Sequence, residues 1–197
     1  MNTPILFPAA TVIPIEIAFT VTGKEEHLDT DFILIRKMRR GDEAAIETFV
    51  RKHYPSILRY CRCHTWDHQL AEDLTQETFE RFFRSFSSYH HTGKLANYLY
   101  VIARNLCRDS CKTQSKQQEL QDSEVASMSD LDRKLDIRQA VDRLPEELRE
   151  VIILHYFMGL KQREIAQVSG IGLPLVKYRL KRGKELLRND LGEEEYP

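Results

Sequence analysis

Long apolar runs are missing from this sequence. No stretch reaches the roughly 18 uninterrupted apolar residues that a membrane-spanning helix needs. The N-terminus is apolar, but its first positive side chain is Lys24, behind Pro4, Pro8 and Pro14. A secretory signal places positive charge ahead of its apolar core, so no membrane insertion is expected and the chain is expected in the cytoplasm. Cysteine is also sparse, with four residues at 61, 63, 107 and 111. Cys-x-Cys plus Cys-x3-Cys is not a common zinc spacing, and no histidine stands at a finger-like interval. The plain reading is cytosolic thiols packed as small hydrophobes; a redox or zinc switch stays open if the segments bearing the two pairs pack together. The seven histidines are scattered, and no carboxylate pair sits at ligand spacing. No catalytic constellation, metal or cofactor is therefore expected. Neither sign of charge dominates, since the formal net charge is -1, which argues against a protein that coats nucleic acid everywhere.

Charge is nevertheless uneven. Residues 161–191 carry eight Lys/Arg against three Asp/Glu, and residues 113–134 carry three against five. A local basic face in a neutral protein suits targeted DNA contact. The periodicity divides the chain. Residues 1–28 alternate Ile13, Ile15, Ile17, Phe19 and Val21 with smaller or polar side chains, the period of a strand; an isolated strand without a partner reads as an extension with little order or as a strand for another protein's sheet edge. From Asp31 the period becomes helical. Phe32, Ile35 and Met38 form a short stripe that stops at Gly41. Asp42 caps a second helix with Ile46, Phe49, Val50, Ile57, Leu58 and Cys61, which Pro55 is expected to kink or divide. A third helix runs from Leu70 to Phe86, a loop holds Tyr89, His90, His91 and Gly93, and a fourth helix runs from about Leu95 to Lys112. Four helices with short connections predict a compact bundle over 29–112. Residues 113–134 are polar and Gln/Ser-rich, too poor in apolar side chains to offset their ordering entropy, and read as a flexible linker. A second helical unit follows over 135–192. Pro145 opens a helix there with Val151, Ile152, Leu154 and Phe157 inward, and Gly159 closes it as a left-handed cap.

Residues 161–187, KQREIAQVSGIGLPLVKYRLKRGKELL, have the layout of a helix-turn-helix. Ala166 is small where two helices approach, Gly170 supplies the positive φ of the tight turn, and Val176 plugs the second helix onto the first. Pro174 falls in the first turn of that second helix, where a missing N–H costs nothing. Its exposed face is expected to show Lys177, Arg179, Lys181, Arg182 and Lys184, donors suited to phosphates and base edges in the major groove. A helical hairpin with a solvated basic face is the bland alternative; coincidence of the small-residue, glycine and valine spacing with the cations favours DNA binding.

Two stretches together resemble the extracytoplasmic-function (ECF) subfamily of bacterial RNA polymerase sigma factors, within the sigma-70 family. AEDLTQETFERFFRSF (71–86) followed by KLANYLYVIARNLCRD (94–109) is similar to the polymerase-clamp and promoter-melting helices of sigma domain two. DRLPEELREVIILHYFMGLKQREIAQVSGIGLPLVKYRLKRGKELL (142–187) is similar to sigma domain four. The resemblance implies an all-α protein of two small helical domains, sigma domain two over 29–112 and a helix-turn-helix domain four over 135–192, joined by the linker. It implies a non-enzymatic factor that binds the clamp and flap regions of core RNA polymerase and directs initiation at chosen promoters; the family also admits an anti-sigma partner. By motif, the clamp-binding residues map onto Asp73, Gln76 and Glu77, at i, i+3 and i+4 on one side of a helix. In the melting helix Tyr98 stands where the family usually has Trp, and Arg104, Asn105, Arg108 and Lys112 match positions that face the promoter. Tyr98 either stacks on an unpaired base or belongs to the core. Pro174 and Leu175 depart from the family's usual residues at the start of the reading helix, and the N-terminal extension has no family counterpart. The rival reading is a free-standing helix-turn-helix regulator that binds duplex without polymerase; a recombinase-like enzyme would need a nucleophile or acidic cluster that the sequence lacks.

Overall fold

The computed structural model describes residues 30–89, 94–117 and 137–191. Every regular element among them is helical. The N-terminal extension with its alternating stretch, the tip of the loop at 90–93 and most of the predicted linker lie outside the described residues.

The first bundle contains α1 (Thr30–Met38), α2 (Glu43–Arg62), α3 (His68–Ser85) and α4 (Leu95–Gln117). As its position after Gly41 suggests, Asp42 caps α2 by accepting from the Ala45 amide at 3.1 Å. Asp67 does the same for α3, accepting from Gln69 and Leu70. Pro55 does not divide α2, which continues through it. The proline lies on the exposed face, where water can take over the Arg51 carbonyl that loses its helical partner. α1 buries Ile35 and Met38, whereas Phe32 is 55% exposed. α1 leans chiefly on α2 and buries only a narrow line of side chains, with Leu34 at its edge. Asp31 fastens it further, accepting from Lys52 at 2.6 Å and meeting His53 at 3.3 Å. Aromatic rings fill the core: Phe49 stacks on Phe82 with centroids 4.9 Å apart and meets Phe79 and Phe83 edge-on. Truncating so enclosed a ring costs about 3–5 kcal/mol. α4 runs five residues past its expected end at Lys112, into the sequence read as linker.

The second bundle contains a short helix α5 (137–142), α6 (Glu146–Ile152) continuing as a π-helical turn (Ile153–Phe157), α7 (Gln162–Ser169) and α8 (Leu173–Leu191). Gly159 and Gly170 both adopt the left-handed conformation, φ 71° and 67°, as their spacing predicts. Val176 is fully buried, the plug expected of it. A close approach between helices is also made at Gly183 of α8. A Cβ there would meet Ile152 Cγ1 at 2.9 Å, so only glycine lets α8 lie this near α6.

Val151, Ile152, Ile153 and Leu154 are all buried. Four consecutive residues cannot share one helical face; α8 covers α6 on one side, and on the other the π-helical turn packs on α2 and Glu150 of α6 reaches Tyr60 and Arg104 of the first bundle. The two bundles thus meet along a seam. At its centre Glu150 of α6, 9% exposed, accepts from the Tyr60 hydroxyl at 2.9 Å and faces His64 at 3.5 Å and Arg104 at 3.6 Å. At one end the Trp66 indole donates to Asp142 at 2.9 Å beneath the Arg138 guanidinium, while Arg138 also donates to the carbonyls of Arg62 and Thr65. At the other, Asn97 donates to Gln167 at 3.0 Å and Lys94 pairs with Glu164 at 2.6 Å. The Nε atoms of Arg62, Arg104 and Arg138 and Nε2 of His64 are buried without a hydrogen-bond partner.

Candidate nucleic-acid interface

Three surfaces gather the residues singled out by sequence. On α3, Leu74, Thr75, Thr78 and Phe79 turn inward, which puts Asp73, Gln76 and Glu77 on the outer side. Asp73 and Gln76 are exposed and Glu77 is half-buried. Asp73 accepts from Gln69 at 3.2 Å, and Gln76 donates to Glu80 at 3.0 Å. The hydrogen bond from Arg81 at 2.7 Å, with Arg84 nearby, holds the Glu77 carboxyl below its usual range. The face is a lattice of exchangeable surface bonds around ionised carboxylates, each worth little by itself, and it can trade them for a partner's basic side chains.

On α4, Tyr98 joins the two alternatives left open by the sequence. Its ring leans on Tyr89 at 4.9 Å and on Phe82 at 6.2 Å, and its hydroxyl lies 3.4 Å from Ser85 Oγ at the rim. It is half-buried, supported from below with an edge left open. Tyr89, buried beneath it, is a supporting residue that sequence reasoning placed only in a loop; the aromatic spacing Phe82, Phe86, Tyr89 was the available signal. Asn105 and Arg108 are exposed. Arg104 instead turns into the seam against Glu150. Lys112 lies on α4 with its side chain outside the described residues.

On α8 the five expected cations separate into groups. Lys177, Lys181 and Lys184 line one cleft with His155 and Tyr156 of the π-helical turn, a positively charged track of the kind that phosphates attract. Arg182 pairs with Glu185 at 3.2 Å along the helix. Arg179 folds back onto Glu147 of α6 and is not on the open face.

The cysteines meet the condition that the sequence left open: α2 and α4 pack together, and Cys107 donates to Cys61 with sulfurs 3.9 Å apart in the core. None of the four is in a disulfide. Among the described residues no group of three or more His, Cys, Asp or Glu side chains is arranged to hold a metal ion, and no helix is long and apolar enough to cross a membrane.

Both bundles are similar to known proteins. Residues 49–117 match the family described as Sigma-70 region 2, and residues 134–187 match Sigma-70, region 4. The ECF RNA polymerase sigma factor SigW of Bacillus subtilis is 29% identical over 177 residues, covering 80% of this chain and 94% of that protein. The ECF RNA polymerase sigma factor SigE of Mycolicibacterium smegmatis is 32% identical over 176 residues, covering 78% of this chain and 65% of that one. Two solved structures share the fold at 21% identity. The sigma factor RpoE of Bartonella quintana, in complex with the anti-sigma factor NepR, has a TM-score of 0.65 over 76% of this chain and 98% of its own. CnrH in complex with the cytosolic domain of CnrY has a TM-score of 0.67 over 85% and 100%. With both family regions in order on one helical chain, this protein belongs to the ECF subfamily of sigma-70 factors, the subunits that direct RNA polymerase to initiate at particular promoters.

Proposed function

We propose that this chain acts in the cytoplasm as an alternative sigma factor without catalytic activity, docking on the polymerase clamp through Asp73, Gln76 and Glu77. The open edge of Tyr98, with Asn105, Arg108, Lys112 and, once freed, Arg104, holds the separated minus-ten strand: an aromatic face for an unpaired base and cations for its backbone. The α8 track of Lys177, Lys181 and Lys184, with Arg182, engages the minus-thirty-five duplex, Arg179 joins it only if released from Glu147, and domain four meets the flap. The observation that carries this reading is the pairing, on one chain, of an acidic-polar helix face beside a half-open aromatic ring with a separate helix-turn-helix that bears a lysine track. The solved relative RpoE, bound to the anti-sigma factor NepR, makes a protein of that kind a partner to look for. No observation favours a free-standing regulator.

Reconstitution with core RNA polymerase tests the proposal. Transcription from cognate promoters, including one upstream of its own gene, is expected only when chain and core are combined. Tight sequence-selective duplex binding by the chain alone, with no effect on core polymerase, would overturn it in favour of the free-standing regulator.

A further inference from the structure

Most of the charge on α8 lies in its middle and end; its first two turns have a different character. Val176, Leu180 and Gly183 are buried against the rest of the bundle. At about 3.6 residues per turn, the side of α8 opposite them carries Pro174, Tyr178, Lys181 and Arg182, with Leu175 beside them. Tyr178 is 63% exposed and Leu175 40%, and Pro174 is exposed as well. Scattered apolar residues on a surface need no explanation; these three adjoin one another on the outward face of one helix end. Two cations fall within the same stretch, Lys177 and Arg179, and Arg179 is withdrawn onto Glu147. Lys177 belongs to the phosphate track. The part of the helix that reaches deepest therefore offers an aromatic ring and an aliphatic side chain, and lacks the free guanidinium that pairs with guanine.

In a helix-turn-helix the N-terminal residues of the second helix meet the base edges. The apolar group that the major groove displays is the C5-methyl of thymine. We propose that Tyr178 and Leu175 are specificity-determining residues, which pack on thymine methyl groups and give the minus-thirty-five site its preference for A·T pairs at the positions they face. This deepens the promoter-binding reading and rests on it. The cations Lys177, Lys181 and Lys184 set affinity and register on the phosphates, and the apolar pair selects sequence.

The test uses holoenzyme formed from core polymerase and the full chain. Binding sites are first selected from a random duplex library. Each thymine of the selected minus-thirty-five element is then replaced by deoxyuridine, which removes the methyl and leaves base pairing intact. Loss of one buried methyl weakens binding roughly fourfold, and that loss is expected at one or two thymines. Tyr178→Ala or Leu175→Ala should abolish the difference between thymine and deoxyuridine at its own position, while Lys184→Ala weakens all sequences alike and keeps the difference. Tyr178→Phe should retain it, because the ring makes the contact. If deoxyuridine is neutral at every position while initiation persists, the methyl assignment is wrong and the sigma reading stands. If Tyr178→Phe loses selectivity, the hydroxyl is the reader and the methyl assignment again fails. Failure to form holoenzyme or to select any sequence removes both readings.

Discussion

His64 shows how one side chain records the closeness of the two bundles. Its side chain is 10% exposed, packed on the Tyr60 ring at 4.5 Å. Burial, with Arg149 and Arg104 nearby, pushes its pKa down to about 3. An unfolded histidine takes its proton near pH 6.5, so between about 6.5 and 3 the unfolded chain holds the extra proton. Stability therefore falls as pH falls through that window, by up to roughly 1.4 kcal/mol per pH unit. Glu150 acts with the opposite sign, because burial raises its carboxyl above 4.5 and the folded chain binds that proton first. His64→Phe keeps a ring against Tyr60 and removes the titration. Its thermal midpoint is expected to drop less than the wild-type midpoint between pH 7 and pH 5, and an equal drop would place the sensitive group elsewhere. Gly183 makes a second case. Alanine is the better helix former by about 1 kcal/mol, yet its Cβ would sit 2.9 Å from Ile152 Cγ1. Overpacking of about 1–3 kcal/mol decides the outcome, so Gly183→Ala should lower the melting temperature. Adding Ile152→Ala should make the two changes non-additive.

Among elements, α3 holds Asp73, Gln76 and Glu77 only in side-chain bonds within its own helix. Asp73→Arg, Gln76→Ala and Glu77→Arg together are expected to abolish co-purification with core polymerase while helicity and melting stay near wild type; wild-type yield of the complex would take α3 out of the docking surface. Helices announced themselves well in the sequence, because caps such as Asp42 and left-handed glycines at 159 and 170 act locally. What the sequence hid was tertiary. Val151, Ile152, Leu154 and Phe157 looked like the stripe of a one-sided helix, although Ile153 completes an unbroken apolar run of four, the mark of a helix covered on two sides. The same blindness concealed where Arg104 and Arg179 point: a cation seen alone reads as a DNA contact, and the carboxylates that claim these two lie 46 and 32 residues away in the chain. Gly183 escaped notice since no turn demanded it. Tyr178 escaped because the count of donors on α8 passed over rings.

At the scale of the whole molecule, the seam governs what each bundle can reach. Trp66 is the only tryptophan, and it lies there between Asp142 and Arg138. Removing the Glu150 carboxylate leaves Arg104 and His64 without their partner, and loss of one member of a buried charge cluster costs about 3–5 kcal/mol. Glu150→Ala is expected to part the bundles and shift Trp66 emission toward that of residues 29–112 alone; binding of core polymerase to wild type should shift it the same way. Unchanged emission in both experiments would mean that the bundles stay joined.

The seam also imposes an order on events. While it is closed, Arg104 is held by Glu150 and the start of α4 is tied to α7, yet the lysine track of α8 lies open. On the proposed reading, a chain in this state can sample intact double helix while Arg104 is kept from a separated strand. The donors buried without hydrogen bonds along the joint keep its separation within reach of a competing partner, since each is a cost that the closed state bears and water or DNA removes. Arrival at a promoter and full grip on its opened strand would then be distinct steps, with Arg104 joining the second only after the two halves have let go of each other.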